Sequence, residues 1–331
     1  MEDKIRVGIV GAGNWGYQHA RAYSARKDVE VVGILGRNKE KTKKRADEFG
    51  VPYYLNLDEM LEEGQPDLVD VCLPAQHTFE TLKALLEKDI PVMTEKPLTY
   101  DLEEGKELIR IAQEKKLFFA INFNHSCSEA VQRAKKDIEA GKLGDVIFAE
   151  WHFAQSGDFV IDHPYMDIIE AQCHGLDMME YLCGPICSVS ADMADMFDKG
   201  SYTSFSLSLK FQSGGVGTFL GSFDASDDYD CVQEVRINGT KGNITIRNNT
   251  KEYIFQEKGS PVAYRWRPGV FDDEGTSFEK NIDRHIEKML NSFRRGEEPP
   301  IKAERGLRAL ELAWAAIHAF EEGRRVDTSL R

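Results

Sequence analysis

The amino-acid sequence predicts an α/β protein: a doubly wound parallel sheet at the N-terminus, followed by an α+β domain with a large, mainly antiparallel, open-faced sheet. Three patterns predict this arrangement. A strand runs directly into a glycine-rich turn, strands and helices alternate up to Asn124, and long strands with period-two hydrophobicity follow. Because 331 residues suit two domains, we place them at 1–124 and 125–331, with the final helix, 303–323, a candidate to pack back near the first domain.

Composition limits the functions that the chain can have. The formal net charge of -14 disfavours a phosphate-backbone partner, so we expect no binding of nucleic acid. The first residues hold no apolar leader and no stretch is long enough to cross a bilayer, so we expect a cytoplasmic protein without a membrane partner. Six cysteines in such a chain are expected to be reduced thiols, and their spacing predicts no metal site.

The N-terminal strand, residues 4–10, leads into Gly11-Ala12-Gly13-Asn14-Trp15-Gly16 and then into a helix predicted over 17–25. In this setting the G-x-G-x-x-G pattern indicates dinucleotide binding. The first glycine allows the tight turn, the second lets the backbone approach a pyrophosphate, and the third lets the helix pack closely on the strand. The expected cofactor contacts in this turn are Gly11, Gly13, Asn14, Trp15 and Gly16.

The turn after the second strand predicts the type of cofactor. The ribose of NAD is usually held there by Asp or Glu, but this chain has Gly36-Arg37-Asn38. Without a carboxylate to repel a 2′-phosphate, and with Arg37 to pair with one, the site favours NADP. NAD remains possible, since the backbone of a Gly-Arg turn also accepts its ribose. The basic residues that follow, 39–45, are equally well explained as a solvated helix face.

Two further strand ends complete the predicted cofactor site. One buried strand breaks at Pro74, and Pro74 and Gln76 are candidate cofactor contacts. The other candidates are Arg37, Asn38, Glu95 and Lys96. The next strand ends in Glu95-Lys96-Pro97. Because open α/β sheets bind ligands at the carboxyl ends of their strands, we expect Lys96 to point its ammonium into that crevice.

A helix predicted over 168–182 carries polar groups of the second domain. Glu170, His174 and Asp177 follow i, i+4, i+7 spacing, which places them on one helix face. Each also has a structural explanation, since a lone His is more often a satisfied core residue and Asp177 suits a buried hydrogen bond or a solvated charge. The polar, aperiodic segment before this helix, 155–165, is interpreted as a substrate-side loop.

The remainder of the second half predicts an antiparallel sheet accompanied by helices. Apolar and polar side chains alternate through it, and residues 239–242 suit a hairpin turn. The predicted strands are 203–211, 215–223, 231–238 and 242–247, and the predicted closing helices are 278–294 and 303–322. Residues 265–268 are predicted to form a loop.

Three motifs in combination resemble the Gfo/Idh/MocA (glucose-fructose oxidoreductase / inositol dehydrogenase) family. They are the glycine turn at 11–16, the Glu95-Lys96-Pro97 tripeptide and the segment 170–177, and the likeness spans nearly the whole chain. The resemblance implies a Rossmann domain in a nicotinamide-dependent oxidoreductase that acts on a sugar, a polyol or a related hydroxyl compound. It also implies a homodimer or homotetramer that packs through the open face of the sheet.

The resemblance also implies roles for single residues. Lys96 matches the family's catalytic-site Lys, whose peptide bond to the following Pro is often cis, and His174 matches its catalytic His. Where many members carry Asp, this chain has Glu170, which keeps the charge and lengthens the reach. Gln172 and His125 also depart from the family pattern, at positions that would contact substrate or nicotinamide. The candidate substrate contacts are Asn124, His125, Asp158, Tyr165 and Gln172.

The chemistry of hydride transfer assigns tasks to these side chains. A hydride leaves a carbinol carbon easily only if the hydroxyl proton also leaves, and His, with an unperturbed pKa of about 6.5, is the residue best matched to accept it. His174 is therefore the expected acid/base. Lys96 would stabilise the developing alkoxide or, alternatively, carry the proton itself. Glu170 either orients the imidazole or binds a substrate hydroxyl.

Two other functions known in the family fit the same motifs. One is a glycosidase that uses a tightly held dinucleotide for transient oxidation, with no net redox change. The other is a cofactor-sensing regulator without catalysis, and the presence of both Lys96 and His174 argues against that function.

Overall fold

The structure, a computed structural model, describes residues 4–157, 163–225, 232–248, 251–269 and 278–329. The chain divides into two compact units. Unit 1 comprises Met1–Asn124 and Ile282–Leu307, and unit 2 comprises His125–Asn281 and Arg308–Arg331. Residues 282–307, which the sequence analysis assigned to the second domain, thus group with unit 1.

Unit 1 is built on a parallel sheet with a helix after most strands. Its strands are β1 (Ile5–Val10), β2 (Val29–Leu35), β3 (Tyr53–Tyr54), β4 (Leu68–Val71), β5 (Val92–Thr94) and β6 (Phe119–Ile121). Its helices between strands are α1 (Asn14–Ser24), α2 (Lys39–Phe49), α3 (Leu57–Gly64), α4 (Thr78–Glu87) and α5 (Leu102–Lys115). The strand order β3-β2-β1-β4-β5-β6, parallel throughout, confirms the predicted doubly wound sheet.

This strand order explains where a ligand can bind to unit 1. The chain moves outward from β1 to β3 and then returns to the other side of β1 with β4. The connections after β1 and β4 therefore leave the sheet on opposite sides and open a crevice at the carboxyl ends of these two strands. Every strand residue of β4 is buried, as is usual when helices cover both faces of a sheet.

Most of α8 (Phe278–Arg294), a helix near the C-terminus, groups with unit 1, because its apolar stripe packs in the core of that unit. Ile282, Ile286, Met289 and Leu290 recur at helical spacing and are fully buried in the same core as Ile5 and other residues of the parallel sheet. The sequence predicted this helix with the correct bounds. Periodicity marks a buried face without identifying what covers it, so the assignment to a unit had to come from the structure.

Unit 2 is built on a nine-stranded sheet. Its strands are β7 (Val146–Ala154), β8 (Ile186–Ala194), β9 (Ser204–Phe211), β10 (Val216–Ser222), β11 (Gln233–Gly239), β12 (Gly242–Arg247), β13 (Glu252–Glu257), β14 (Ala263–Trp266) and β15 (Val326–Asp327). The order is β14-β13-β12-β11-β7-β10-β9-β8-β15, and only the β7–β10 pair is parallel among these strands. In β9 the apolar residues are buried and the alternate serines and lysine are half-buried or exposed, which confirms the predicted one-sided sheet.

Two helices, α6 (Glu129–Glu139) and α7 (Cys173–Cys183), pack on this sheet, and α9 (Ala303–Glu322) closes the chain. The sequence missed β8, whose serines blur the alternation, as well as β13 and the two-residue β15, and it predicted a loop at β14. Arg265 and Trp266 in fact lie in β14, a sheet-edge strand that has no buried face and so gives no hydrophobic signal. Across the described ranges, no helix has the length and apolarity needed to cross a membrane.

Candidate active site

The glycine turn between β1 and α1 has close contacts that explain two of its three glycines. Gly11 has a φ of +126°, and a Cβ there would lie 2.3 Å from the carbonyl oxygen of Cys72. A Cβ on Gly16 would lie 1.9 Å from the oxygen of Gly11, whereas a Cβ on Gly13 would meet nothing within 4 Å. The first and third glycines are therefore required by packing, and the second borders open space at the start of α1.

That open space is suited to a phosphate group. Gly13 caps α1 without a side-chain hydrogen bond, and the first turn of the helix contains no acidic residue. The first amides of a helix have no partner within the helix and carry partial positive charge. The chain thus offers the donors that a pyrophosphate needs, in a position where no side chain blocks its approach.

A cleft of about 550 Å³ extends from this turn along the carboxyl ends of β1, β2 and β4. Six of the predicted cofactor contacts line it: Gly11, Gly13, Arg37, Asn38, Pro74 and Gln76. The other five predicted contacts, Asn14, Trp15, Gly16, Glu95 and Lys96, are not among its lining residues. Lys41, one of the basic residues at 39–45, also lines the cleft, as do Thr42 and His77.

The turn after β2 presents two cations to the cleft. Asn38 caps α2, since its Oδ1 accepts a hydrogen bond from the Lys41 amide at 2.9 Å and its backbone oxygen accepts one from Thr42 Oγ1 at 2.6 Å. Gly36 is needed here because a Cβ would lie 2.4 Å from Thr42 Oγ1. This cap places the exposed Arg37 and Lys41 on the same wall of the cleft.

Lys96 follows β5, with its side chain half-buried. The Lys96–Pro97 peptide bond is cis, as the family resemblance implied. The backbone amide of Lys96 donates a hydrogen bond to Glu95 Oε2 at 3.1 Å. The carboxylate of Glu95 therefore holds the backbone from which the Lys96 side chain extends.

Glu95 does not face the cleft but belongs to a buried polar network centred on His19 of α1. The two ring nitrogens of His19 lie 2.7 Å from Asp70 Oδ2 and 2.8 Å from Glu95 Oε1. Asn122 Nδ2 donates to Glu95 Oε1 at 2.5 Å, and Asn122 Oδ1 accepts from His285 Nδ1 at 2.7 Å. All five side chains are at most 6% exposed, so the network lies in the interior of unit 1.

The charge state of this network follows from its contacts. Burial lowers the pKa of His19, but the charge of Asp70 and its hydrogen bond outweigh burial and raise the pKa well above its usual value. His19 is therefore an imidazolium that donates from both ring nitrogens. Burial raises the pKa of Glu95, but the hydrogen bond and charge of His19, with the charge of Lys96, lower it overall. Burial and the His19 charge lower the pKa of His285 to about 3, so His285 is neutral.

The same network contains one arrangement that resembles a metal site. Ligand atoms of His19, Asp70 and Cys72 all lie within 4.8 Å of one another. However, burial, followed by the charge of Asp70, raises the pKa of Cys72 to about 12, which keeps it a thiol. Metal ligands must be a thiolate and a neutral imidazole, whereas here the imidazole is protonated. We therefore interpret these residues as a hydrogen-bonded cluster.

In unit 2, His174 of α7 stacks on His125. Their ring centroids are 3.8 Å apart, the planes are inclined by 4°, and each residue is 6% exposed. His125 lies in a 3₁₀ turn, Asn124–Cys127, directly before α6.

The segment before α7 differs from the continuous α-helix that the sequence predicted over 168–182. Asp167–Ala171 forms a π-helical turn, in which the Gln172 amide donates to the Asp167 oxygen at 3.0 Å, and α7 begins only at Cys173. Because a π turn is wider than an α turn, the i, i+4 spacing of Glu170 and His174 no longer defines a common helix face. Glu170 is half-buried in this turn.

Two predicted substrate contacts have protein partners in unit 2. Gln172 is fully buried; its oxygen accepts from Trp151 Nε1 at 3.2 Å and its nitrogen donates to the Phe153 oxygen at 3.0 Å. The Tyr165 hydroxyl donates to Glu321 at 2.7 Å, and its ring stacks on Tyr202. Asp158, a third predicted contact, lies outside the described residues, and Asn124 is buried at the end of unit 1's first segment.

Asp167 is a buried carboxyl group that the sequence analysis did not single out. It is 1% exposed, and within the described part of the chain neither carboxyl oxygen has a hydrogen bond of good geometry. Burial raises the pKa of Asp167 well above its usual value, and the nearby Gln172 amide opposes this only in part. Asp167 is therefore expected to hold its proton.

Sequence reasoning also missed His19, Asp70, Asn122 and His285, although signals for two of them exist. Asp70 interrupts the apolar run of β4, and a charge in a strand buried on both faces requires a partner. His19 lies on the face of α1 that buries Ala20 and Tyr23. Asn122 and His285 carry no local signal, because their partners are distant in the sequence.

Comparison with known proteins identifies the family of the chain. Residues 5–123 match the family model described as "Oxidoreductase family, NAD-binding Rossmann fold", and residues 131–245 match the GFO/IDH/MocA C-terminal domain. Inositol 2-dehydrogenase of Rhizobium meliloti (strain 1021) is 26% identical over 338 residues, covering 98% of this chain and 99% of that protein. This match agrees with the resemblance seen in the sequence.

Solved structures share the fold at lower sequence identity. An oxidoreductase from Agrobacterium radiobacter, solved with NAD+, L-tartaric acid and magnesium, has a TM-score of 0.89 at 17% identity and covers 98% of both chains. A levoglucosan dehydrogenase, solved with NADH and levoglucosan, has a TM-score of 0.90 at 18% identity and covers 99% of this chain and 100% of its own. Because the two family models together span most of its length, this chain belongs to the GFO/IDH/MocA family of oxidoreductases.

Proposed function

We propose that this protein is an NADP- or NAD-dependent oxidoreductase that transfers a hydride between nicotinamide and a hydroxyl or keto carbon of a sugar, a sugar derivative or a cyclic polyol. The observation that carries the proposal is the set of functional groups on one edge of the parallel sheet. An open glycine turn follows β1, and Lys96 follows β5 of the same sheet. The names of relatives, an inositol 2-dehydrogenase and a levoglucosan dehydrogenase, support the substrate class.

We favour NADP as the cofactor because of the wall formed by the β2–α2 turn. The cleft-lining residues there are Gly36, Arg37, Asn38, Lys41 and Thr42, and none is acidic. A 2′-phosphate beside Arg37 and Lys41 would accept charge-assisted hydrogen bonds, each worth roughly 1.5–3 kcal/mol.

Binding measurements on variants test the cofactor preference. Arg37→Ala is expected to weaken NADP binding by roughly 10- to 100-fold, as the loss of one such hydrogen bond implies. Binding of NAD should change little. Lys43→Ala is the matched control, since Lys43 lies on α2, the helix that follows Arg37, but pairs with Asp47 on an exposed face at 2.6 Å. Equal weakening of NADP and NAD by Arg37→Ala would reject the preference for NADP.

In the proposed reaction His174, Lys96 and Glu170 have separate tasks. A bound nicotinamide would supply the hydride acceptor. His174 accepts the hydroxyl proton as the C–O bond becomes a carbonyl, so one hydride and one proton leave the substrate. Lys96 stabilises the developing negative charge on that oxygen or, alternatively, takes the proton itself. Glu170 orients the imidazole or binds a substrate hydroxyl.

His125 stacks on the proposed proton acceptor, His174, with the two ring centroids 3.8 Å apart. We therefore retain His125, with Asn124, among the proposed substrate-side residues. Gln172 has a different role in this proposal, since both ends of its amide are bound in the core, where it supports Trp151.

A panel of sugars and cyclic polyols, monitored by nicotinamide absorbance with each cofactor, is the direct test. We expect turnover of at least one cyclic polyol or sugar, lost on the order of 100-fold or more in His174→Ala, as typical for a general base. Full activity in both His174→Ala and Lys96→Met would reject the site. Cleavage of a glycoside without net reduction of cofactor would instead support the glycosidase alternative.

We also expect a homodimer or homotetramer. Ile147, Phe148, Val216 and Leu220 are 40–53% exposed on neighbouring strands β7 and β10, an apolar surface of the kind that protein contacts cover. Light scattering at several protein concentrations gives the mass directly, and a monomer at micromolar concentration would contradict the expectation.

A further inference from the structure

The stacked rings of His125 and His174 form a pair of parallel plates in unit 2. Their centroids are 3.8 Å apart and their planes are inclined by only 4°, so the edge of one ring lies beside the edge of the other. Each residue keeps an exposed fraction of 6%. A ligand that meets the edge of the His174 ring is therefore within reach of the edge of the His125 ring.

The 3₁₀ turn that carries His125 is tied to the helices on either side of the stack. The Gln132 side chain of α6 donates to the Ser126 oxygen at 2.6 Å and to the Tyr181 hydroxyl of α7 at 3.2 Å. The Ser128 amide donates to the His125 oxygen at 3.1 Å. The backbone of His125 is thus held by α6, and Gln132 joins that turn to the helix that carries the partner ring.

The start of α7 holds His174 from the other side. A Cβ on the next residue, Gly175, would lie 2.4 Å from the ring of Trp151 and 2.6 Å from that of Phe219, so the helix packs directly on the sheet at this point. Neither ring of the stack can shift far without disturbing such contacts. The spacing of the two ring edges is therefore a fixed property of unit 2.

The burial of the ring nitrogens indicates which atoms can reach a ligand. Nδ1 of His125 and Nδ1 of His174 are both inaccessible to solvent. Of the two nitrogens in each ring, this leaves Nε2 to meet a ligand. An imidazole nitrogen donates or accepts a hydrogen bond according to its tautomer, and a hydroxyl group matches either role, so a hydroxyl can bind in every protonation state of the two rings.

Two ring edges at this spacing suit two neighbouring hydroxyl groups. Hydrogen bonds of about 2.7–3.2 Å that start from edges 3.8 Å apart can end on two oxygens that are close neighbours. The hydroxyl oxygens on adjacent carbons of a sugar or cyclic polyol are such neighbours when they are gauche to each other. If the oxygen beside His174 is the one that becomes the carbonyl, the oxygen beside His125 belongs to the next carbon.

We propose that His125 is a specificity-determining residue that binds the hydroxyl group on the carbon next to the one that is oxidised, so that the stacked pair selects a gauche vicinal diol. His174 keeps its proposed task at the reacting hydroxyl, and the hydroxyl bound by His125 keeps its proton. This inference rests on the proposed function and narrows its substrate class to sugars and polyols with a free hydroxyl next to the oxidised carbon.

Matched substrates compared in the wild type and in His125→Phe test this role. The substrates are the compound with the highest kcat/KM in the panel and its analogues that lack one or the other neighbouring hydroxyl, which for an inositol are quercitols. The preference is the ratio of kcat/KM for the full compound to that for an analogue. For one analogue, we expect His125→Phe to lower this ratio roughly 10-fold, as the loss of one hydrogen bond implies. Unchanged ratios for both analogues would overturn the inference.

The ratio separates hydrogen bonding from a packing role of His125. Phenylalanine keeps an aromatic ring in the stack, and general damage to the site lowers kcat/KM for both substrates alike, which leaves their ratio unchanged. His125→Gln provides the rescue, because its side-chain amide can take over the hydrogen bond of Nε2. We expect it to retain a clearly higher ratio than His125→Phe. A ratio in His125→Gln as low as in His125→Phe would contradict the hydrogen-bonding role.

The matched control for the substitution is His318→Phe in the same unit. The His318 side chain is 52% exposed on α9 and lies 3.6 Å from Glu321. This variant should leave the ratio as it is in the wild type. A fall equal to that in His125→Phe would show that the ratio does not report on the stacked pair, and the inference would be rejected.

The wild type alone gives a second test that does not depend on the folding of any variant. A site that hydrogen-bonds a substrate hydroxyl rejects the analogue without it. We expect at least one of the two analogues to have a kcat/KM about 10-fold or more below that of the full compound. Equal use of all three compounds would exclude recognition of a neighbouring hydroxyl.

Failure of the proposed function gives a different result. If no compound in the panel is turned over, or if His174→Ala is as active as the wild type, the proposed function itself fails. If His174→Ala is inactive but His125→Phe has unchanged ratios, the function stands and the role of His125 is rejected.

Discussion

Two carboxyl groups, Glu95 in unit 1 and Asp167 in unit 2, are almost equally buried but have opposite ionisation behaviour. Glu95 is 6% exposed and Asp167 is 1% exposed. Burial acts to raise the pKa of both. In Glu95 it is outweighed by the hydrogen bond and charge of His19, and the pKa is lowered, whereas Asp167 has no such partner in the described part of unit 2 and its pKa is raised.

The comparison shows that burial alone does not determine the charge of an interior group. Desolvation disfavours the charged form, but a cation in direct contact can reverse the sign of the shift. In unit 1, the contact with His19 keeps the Glu95 carboxylate, which precedes Lys96, ionised. Unit 2 keeps a protonated carboxyl group three residues before Glu170, in the π-helical turn that leads to α7.

Of the three substitutions, removal of His19 should have the largest effect on stability, because it removes the cation that offsets the burial of Glu95. His19→Leu leaves Asp70 and Glu95 as buried carboxyl groups without a cation, and the expected loss in the free energy of unfolding at pH 7 is about 3–5 kcal/mol. Urea denaturation measures this loss. Lys43→Ala, which removes an exposed ion pair on α2, should change stability little. Similar losses in both variants would contradict the structural importance of the network.

A pH titration of stability tests the neutral member of the same network. The pKa of His285 is lowered to about 3, below the value of about 6.5 for an unfolded His. The unfolded chain therefore binds this proton first, so the stabilisation is complete above about pH 6.5 and is lost as the pH falls towards 3, at up to about 1.4 kcal/mol per pH unit. In the His285→Gln variant, the plot of the free energy of unfolding against pH should lack the part of its slope that His285 contributes. An unchanged slope in the variant would show that His285 is protonated in the folded protein.

Asp167→Asn should give the smallest effect, with the opposite dependence on pH. The folded pKa of Asp167 lies above the unfolded value of about 3.9, so the wild type loses stability as the pH rises from about 4 through the folded pKa. The Asn variant does not titrate. Its stability relative to the wild type should therefore increase between pH 4 and 7, by up to about 1.4 kcal/mol per pH unit. A relative stability that falls with rising pH would indicate that Asp167 is ionised and paired.

Much of unit 1 followed from local sequence patterns. Gly11 and Gly16 of the β1–α1 turn are required by close contacts, Gly11 with Cys72 and Gly16 with Gly11. The alternation of apolar strands with amphipathic helices predicts the parallel sheet. The predicted helices at 278–294 and 303–322 have the bounds seen in the structure, because long amphipathic patterns are strong signals. The same patterns were weaker in unit 2, where β8 and β14 lack a clean alternation.

The environments of the candidate site residues did not follow from such patterns. The sequence led to Lys96, His174 and Glu170 as candidates, but it predicted a continuous helix where Glu170 in fact lies in a π-helical turn that precedes α7. It proposed Gln172 as a substrate contact, whereas its amide is bound by Trp151 and Phe153. These contacts join residues that lie about 20 positions apart, beyond the reach of helical or strand periodicity.

By itself, the sequence determined the family, the doubly wound sheet with its glycine turn, and the lysine and histidine that are proposed to carry the reaction, because each depends on neighbouring residues or on a short period. Only the tertiary structure showed what surrounds them. The network of His19, Asp70 and Glu95 joins positions 51 and 76 residues apart, and the stack of His125 on His174 joins two separate helical segments. Charge and protonation depend on such contacts through space, so the surroundings of Lys96 and His174 could be determined only from the folded structure.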